Sequence, residues 1–240
     1  MSDRSDDSER KRSFDLLWGA PGRPARGPRP ELSLDAIVAA AIEVADREGL
    51  GALSMARVAA SLGVSTMALY RYIPGKSELI DLMIDSALGP APSPVGGDWR
   101  AEVAHWATLS LGLFLKRPWL LEAIMRFAPI GPNWLAWFDA ALGALSPSGL
   151  SPQEIVSAML MIDGHVRSSA QVMVGVTSTE AWGRNFGEVL TLALSDPRYA
   201  RLAGLAQAGG FDPGGEAPFD FGLRRIFEGI EAHVGRKGAA

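Results

Sequence analysis

The chain contains no cysteine, and this absence excludes disulfides, thiolate metal sites and cysteine nucleophiles. It also lacks an apolar run long enough to cross a bilayer, because charged residues, glycine or proline interrupt its most apolar stretches. Its first residues have neither the basic nor the apolar region of a secretory signal. We therefore expect a soluble, cytoplasmic protein with no membrane partner and no bound metal.

Signatures of the common active sites are scarce as well. The sequence has no phosphate-binding glycine loop, no pair of histidines at metal-ligand spacing and no serine nucleophile in a strand-to-helix turn. Asp163 and His165 lie two residues apart on one predicted helix, so their side chains cannot face each other. We expect no enzymatic activity and no cofactor. The alternative is an enzyme or a small-molecule-binding protein that uses the Trp-rich helical region.

What is present is a chain of 240 residues, 48% of them hydrophobic, which is enough to bury the cores of a small and a larger domain. Its formal net charge is -4, so the molecule as a whole is not a general polyanion binder. Any contact with nucleic acid must therefore be local.

Helical periodicity dominates, and no segment alternates long enough to indicate a strand, so the sequence predicts an all-α fold. A basic Gly/Pro arm at 1–30 precedes a three-helix head with a fourth, connecting helix at 31–89. The Pro/Gly-rich segment 90–97 then leads to a larger helical-bundle body at 98–236. The predicted body helices are 98–116, 118–127, 132–145, 152–174, 179–194 and 217–234.

A tight turn is predicted between two short helices of the head. Ser54 is placed to cap the first helix, and Gly63 supplies the left-handed turn after it. Ser65 is then placed to cap the second helix. This arrangement is typical of a helix-turn-helix, whose second helix enters the major groove of DNA.

The second helix has an apolar side and an exposed stripe. Val64, Leu69 and Ile73 fall on the inward side. The outward stripe consists of Thr66, Met67, Tyr70 and Arg71. Such a stripe of apolar, aromatic and cationic groups indicates a surface that contacts another molecule.

Residues 33–88 resemble the DNA-binding head of the TetR family of transcriptional repressors. The matching segments are Leu34–Ala41, Gly49–Met55, Val58–Ser65, Leu69–Tyr72 and Lys76–Ile80. The rest of the chain agrees with the family in length and helical character. The resemblance implies a homodimeric repressor that binds double-stranded operator DNA and is released by a small, largely apolar or aromatic inducer.

The predicted DNA contacts lie on and around the second helix. Thr66, Met67 and Arg71 are expected at base edges, with Met67 or Ala68 against a thymine methyl group. Four further side chains are suited to phosphates: Arg57, Tyr70, Tyr72 and Lys76. Ser65, at the start of the helix, completes the set.

The arm carries Arg23, Arg26 and Arg29 among glycines and prolines, and residues 16–30 contain no acid. Such an arm can lay arginines along the narrow minor groove, where the potential is most negative. A solubilising tail is the alternative.

The body is rich in large aromatic side chains, which can fill a core or line a cavity. In the family the body holds an inducer cavity between the middle helices. The candidate ligand-binding residues are Trp106, Phe114, Trp119, Phe127, Trp134, Trp137, Phe138, Met161 and His165. His165 is either a ligand contact or a hydrogen-bonded core histidine.

Two body helices, 152–174 and 217–234, have apolar stripes that are suited to pairing with a second subunit as a four-helix interface. The predicted interface residues are Met159, Val166, Phe219, Gly222, Leu223, Ile226, Gly229 and Ile230. The alternative is an ordinary core within one chain. Pairing is expected because a head of this kind reads two half-sites by two-fold symmetry.

Overall fold

The computed structural model describes residues 12–19, 32–127, 131–178, 187–189, 191–194, 196–211 and 216–238. Within these ranges the regular structure is helical, and no strand occurs. The helices are α1 (12–18), α2 (Leu34–Glu48), α3 (Met55–Ser61), α4 (Thr66–Leu69), α5 (Lys76–Leu88), α6 (Trp99–Lys116), α7 (Pro118–Arg126), α8 (Pro132–Leu145), α9 (Pro152–Ser178), α10 (the helical residues 187–189 and 191–194), α11 (Ala200–Gln207) and α12 (Pro218–Gly238). The all-α prediction is therefore confirmed. No helix in the described part of the chain is long and apolar enough to cross a membrane.

Side-chain caps define several helix starts. The Ser33 hydroxyl accepts a hydrogen bond from the Ala36 amide at 3.1 Å, and the Ser54 hydroxyl accepts one from the Arg57 amide at 3.1 Å. The Asp98 carboxylate caps α6 in the same way. These contacts explain why the helix bounds follow the sequence prediction closely.

The chain divides into two compact units, one ending at Pro147 and the other beginning at Ser148. The 90–97 segment, where the sequence predicts a domain boundary, lies within the first unit. The first unit extends past that segment because α5 of the head packs against α7 and α8. The head and the first three body helices thus belong to one packed unit.

The core of the head is formed by α2, α3 and α5. Ile37 and Val44 of α2 are fully buried, as are Leu79 and Met83 of α5. Burying each of these side chains contributes about 1.5–3 kcal/mol. Val58 of α3 completes this core, which fixes the position of α4.

A buried carboxylate joins α5 to the start of α8. One oxygen of Asp85 accepts hydrogen bonds from the backbone amides of Asn133 and Trp134, at 2.9 and 3.1 Å. The Asn133 side-chain amide donates to the backbone carbonyl of Asp85 at 3.0 Å. Gly131 packs so closely against Asp85 that a Cβ there would lie 2.0 Å from its carboxylate. Asp85 therefore caps α8 from a helix of the head.

The second unit is held together by α9 and α12. At one end, Glu154 of α9 accepts hydrogen bonds from Lys237 and His233 of α12, with closest distances of 2.5 and 2.8 Å. The hydrogen bonds from Lys237, Ser151 and His233 hold the pKa of Glu154 well below its usual range. The start of α9 and the end of α12 are thus fixed to each other.

Two helices were not anticipated. Helix α1 lies inside the segment predicted as a Gly/Pro arm, where Ser13 is buried and Arg12 pairs with Glu78 of α5 at 3.4 Å. Residues 12–18 contain no glycine or proline, so this part of the segment can form a helix. Helix α11 was missed as well. The predicted helix 179–194 is described only at 187–189 and 191–194.

Candidate nucleic-acid interface and ligand cavity

The turn between α3 and α4 has the geometry of a helix-turn-helix. Gly63 adopts a φ of 68°, which a side chain would strain. The Val64 amide then donates to the Ala59 carbonyl at 3.0 Å, which closes the end of α3. Helix α4 is one turn long, and the Ile73 amide extends it by donating to the Leu69 carbonyl at 3.0 Å.

Helix α4 is anchored on one side and open on the other. Leu69 and Ile73 are fully buried, as predicted. Met67 is 74% exposed and Tyr70 is 45% exposed. Of the remaining predicted contacts, Thr66 and Ala68 are half-buried, and Ser65, Arg71 and Lys76 are exposed. A rigid head thus presents apolar, aromatic and cationic groups together on one exposed surface.

The start of α5 adds a second feature to this surface. Gly75 precedes the helix as its N-cap and has no side chain with which to cap it. Lys76 is the first residue of the helix and is exposed. The backbone amides of a helix N-terminus together with a cation form an arrangement that favours phosphate.

Most of the predicted ligand aromatics are buried in the core of the first unit. Trp106, Phe114, Trp119 and Trp137 are all less than 9% exposed. Their indole groups join elements that are distant in sequence: Trp106 donates to the Trp137 carbonyl at 2.9 Å, and Trp137 donates to the Gly89 carbonyl at 3.1 Å. Trp119 donates to the Asp46 carboxylate of α2. These tryptophans fix α6, α7 and α8 to the head.

A cavity of about 510 Å³ lies beside this core, within the first unit. Segment 91–94 and helices α6 and α8 enclose it. Its lining residues are Ala91, Pro92, Ser93, Pro94, Glu102, His105, Trp106, Ala136, Asp139, Ala140, Gly143 and Ala144. Of the predicted ligand residues, Trp106 lines this cavity.

Two regions of the chain match known protein families. Residues 37–83 match the bacterial regulatory proteins, tetR family, and residues 91–234 match the tetracyclin repressor-like, C-terminal domain. The chain belongs to the TetR family. It is accordingly a transcriptional regulator with a helix-turn-helix head and a helical body.

Relatives within the TetR family agree with this assignment over nearly the whole chain. The chain is 40% identical over 238 residues to the HTH-type transcriptional repressor DrrR1 of Streptomyces coeruleorubidus, covering 94% of this chain and 87% of that protein. Among solved structures, it is similar to the TetR family protein ActR of Streptomyces coelicolor in complex with actinorhodin. That match has 26% identity and a TM-score of 0.75, over 86% of this chain and 98% of the other. Apo ActR matches with a TM-score of 0.74 at 26% identity, over 88% of this chain and all of the other.

Two predicted phosphate contacts already have partners within the TetR head. Both guanidinium nitrogens of Arg57 that face Glu48 donate to its carboxylate, at 3.2 and 2.5 Å. This pair raises the pKa of Arg57 and lowers the pKa of Glu48, through their hydrogen bonds and mutual charge. The Tyr72 hydroxyl donates to the Leu32 carbonyl at 3.0 Å, so it supports the start of α2. Ser65 precedes α4, but its side chain makes no capping hydrogen bond, contrary to the prediction.

The predicted arm arginines Arg23, Arg26 and Arg29 lie outside the described residues.

The remaining predicted ligand residues lie in different parts of the body. Trp134 and Phe138 are half-buried and stack on each other at 5.6 Å, and Phe127 is also half-buried. Met161 is 49% exposed and lines an apolar groove of the second unit.

His165 is a packing residue of the second unit, which was the alternative the sequence left open. Its Nε2 atom lies 2.9 Å from the Phe219 carbonyl, and the two rings stack at 5.4 Å. Gly222 lies against the same ring, since a Cβ at this position would be 2.3 Å from the imidazole. Three residues assigned to ligand or dimer contacts thus form one contact between α9 and α12.

Most of the predicted dimer residues are also buried within the chain. Five of them are no more than 5% exposed: Met159, Val166, Phe219, Leu223 and Ile230. They pack between α9 and α12 of the same chain. The apolar stripe of each helix is buried against the other helix. Ile226 is half-buried and Gly229 is exposed, and both line the groove of the second unit. The outer face of α9 exposes other apolar residues, including Leu160 and Val172.

Sequence reasoning missed the acids that join the head to the body helices. Asp85 and Asp46 are ordinary acids within helical patterns, and their partners lie 48 and 73 residues away. Only the position of Asp85 on the inward side of a predicted helix could have indicated a buried role.

Proposed function

We propose that this TetR-family regulator is a homodimeric repressor that leaves its operator when a small aromatic molecule binds the body. The observation that carries this proposal is the exposed surface of Met67, Tyr70 and Arg71 on a helix anchored by buried Leu69 and Ile73. The similarity to the repressor DrrR1, at 40% identity, supports repression instead of activation. The structure of ActR with actinorhodin supports a response to a small molecule.

DNA recognition follows from the surface around α4. Thr66, Met67 and Arg71 are placed to meet base edges, whereas Lys76 and the first amides of α5 suit a phosphate. One head covers one half-site. Two heads in a dimer place two such helices about 34 Å apart, or somewhat farther, so that they enter successive major grooves.

The ligand response uses the contacts that join the head to α7 and α8. Asp85 and Gly89, at the end of α5, are hydrogen-bonded to the start of α8 and to Trp137. A ligand that displaces α8 therefore moves α5 and the head with it. The ligand shifts the equilibrium only by its difference in affinity for the two arrangements.

The direct test is the affinity of the protein for the promoter beside its own gene, measured over a range of salt concentrations. We expect sequence-specific binding whose affinity falls steeply as salt rises. Equal affinity for the promoter and for a scrambled duplex at every salt concentration would contradict the proposal. Turnover of a bound small molecule, in the absence of any DNA preference, would favour an enzyme instead.

Dimer formation involves the exposed apolar side of α9 and α12 in this proposal. Leu160 and Val172 on α9, and Ile226 and Gly229 in the groove, are the residues offered for pairing. Light scattering coupled to size-exclusion chromatography measures the mass directly. A stable species of 25.5 kDa at micromolar concentration would exclude this pairing.

Replacing Arg71 with alanine should relax sequence specificity. Arg71 is exposed next to the base-reading positions of α4, and a bidentate arginine contact with guanine contributes about 1–3 kcal/mol of discrimination. We expect the variant to lose preference at one base pair per half-site while its affinity for unrelated DNA stays near that of the wild type. Binding to a set of operators with single substitutions measures this. An unchanged preference at every position would contradict the assignment.

Replacing Lys76 with alanine should weaken binding to all sequences alike. Removing one phosphate contact is expected to flatten the slope of log affinity against log salt by about one unit. Lys116 at the end of α6 offers a matched control, because Lys116→Ala removes the same charge far along the chain. An equal change in slope for both variants would show that net charge alone is responsible.

A further inference from the structure

We propose that the cavity between segment 91–94, α6 and α8 is the regulatory ligand site, and that it takes a flat aromatic molecule carrying a positive charge. This assignment deepens the proposed function, because it names the site and chemical class of the ligand. Of the ligand residues predicted from the sequence, this site includes Trp106.

The cavity has the size and the largely apolar walls for a small aromatic molecule. Its volume of about 510 Å³ falls within the range of about 300–1,000 Å³ that is usual for ligand pockets. One wall is the face of α8 that carries Ala136, Ala140 and Gly143, and the opposite side includes Pro92 and Pro94. Small side chains and proline rings therefore make up much of the wall, and Trp106 adds an aromatic side chain to the lining.

The acidic side chains of the cavity favour a positively charged ligand. Its lining contains two acids, Glu102 and Asp139, and no lysine or arginine. The Glu102 carboxylate accepts hydrogen bonds from the Val95 and Gly96 amides, at 3.1 and 2.6 Å, which fix its position in the cavity wall. These acids favour a cation and disfavour a carboxylate or phosphate ligand.

Two polar side chains are available to orient such a ligand. Both line the cavity, and within the described residues the side chains of Asp139 and His105 make no hydrogen bond or ion pair. Asp139 can accept a hydrogen bond from an ammonium or iminium group, which is a charge-assisted contact. The His105 imidazole can donate to a carbonyl or accept from a hydroxyl group of the same ligand.

The position of the cavity connects the ligand to the head. Segment 91–94 begins two residues after Gly89, which caps the end of α5. Trp106 lines the cavity, donates to the carbonyl of Trp137 and packs edge-on against its ring. Trp137 in turn donates to the Gly89 carbonyl. A molecule that pushes segment 91–94 or Trp106 therefore acts on the end of α5 through direct contacts.

The experiment uses three acridines of one shape and different charge, with the full-length protein and no DNA. At neutral pH 9-aminoacridine is a cation, acridine is neutral and acridine-9-carboxylate is an anion. Titration calorimetry measures their affinities. We expect the order cation, then neutral molecule, then anion. Equal affinity for the cation and the neutral molecule, or no binding of any acridine at millimolar concentration, would overturn the proposal.

Two variants locate the site. Asp139→Asn should weaken 9-aminoacridine about tenfold and leave acridine within about twofold, because it removes a charged hydrogen-bond partner at nearly constant shape. Gly143→Leu should abolish binding of both, since no atom lies within 4 Å of a Cβ at this position and the added side chain can occupy the cavity. Unchanged binding in either variant would place the ligand elsewhere.

Matched controls separate the site from general effects. Glu122→Gln removes one exposed negative charge on α7, and Gly112→Leu adds the same side chain at an exposed glycine of α6 that is also unobstructed. Both should bind the acridines as the wild type does. Operator affinity is measured separately for every variant. Operator binding without any acridine binding would overturn the ligand site alone, whereas acridine binding without operator preference would overturn the proposed function alone.

Discussion

Replacing Asp85 with alanine is expected to lower the free energy of unfolding by about 2–4 kcal/mol. The Asp85 carboxylate accepts from two backbone amides of α8 and is only 7% exposed. Leaving a buried donor without a partner costs about 1–3 kcal/mol, and two donors lose theirs here. Urea unfolding monitored by tryptophan fluorescence measures the loss. A loss below about 0.5 kcal/mol, as for an ordinary surface substitution, would mean that the cap is unimportant.

Asp85→Asn is the matched control for this prediction. The amide carbonyl introduced by this substitution can still accept hydrogen bonds from the backbone amides of Asn133 and Trp134, so most of the stability should remain. Burial raises the pKa of Asp85 above its ordinary value of 3.8, and hydrogen bonds from Trp134 and Asn133 oppose that rise only in part.

The raised pKa also predicts a dependence on pH. Because the folded protein binds this proton more tightly than the unfolded chain does, ionisation of Asp85 opposes folding as pH rises from 3.8 through the raised value. The wild type should therefore lose stability relative to Asp85→Asn over that window. A difference that is constant with pH would contradict the raised pKa.

Replacing Gly222 with valine is expected to destabilise the second unit by about 2–3 kcal/mol. A Cβ at this position would lie 2.3 Å from the His165 ring, which is held by the Phe219 carbonyl and by stacking on Phe219. The ring must leave this position, and overpacking of this kind costs about 1–3 kcal/mol in addition to the lost hydrogen bond. Thermal unfolding followed by circular dichroism measures the change.

Gly235→Val provides the matched control, because it makes the same substitution on α12 at a position where a Cβ meets no atom within 4 Å. It should have little effect or be slightly stabilising. In a Gly222→Val variant that also carries His165→Ala, much of the lost stability should return, since the clash is absent. Additive losses in the double variant would refute the contact.

The head could be predicted from sequence because its signals are local. Ser33, Ser54 and Gly63 act on residues within a few positions of themselves, so their spacing alone determines the helix ends. The buried side of α4 follows from the four-residue spacing of Leu69 and Ile73. Nothing in these arguments requires knowledge of a distant partner.

The ligand and dimer residues could not be predicted in the same way. Periodicity shows that Trp106, Trp137 and Leu223 face inward, but it does not show what lies opposite them. The tryptophans meet backbone carbonyls of other elements, and Leu223 meets α9 of its own chain. The cavity is lined largely by alanine, glycine and proline, whose small size gives no signal in the sequence of a binding role.

The ion pair of Arg57 with Glu48 changes how an alanine scan of the head should be interpreted. Glu48 ends α2, and its carboxylate stands beside the predicted DNA surface with its charge neutralised by Arg57. Truncating Arg57 would remove the hydrogen-bonded counter-ion of Glu48 and leave its negative charge facing a polyanion. Weaker DNA binding would then report electrostatic repulsion, even where the guanidinium never touched the duplex. Arg57 can thus serve recognition as a counter-ion for its own protein.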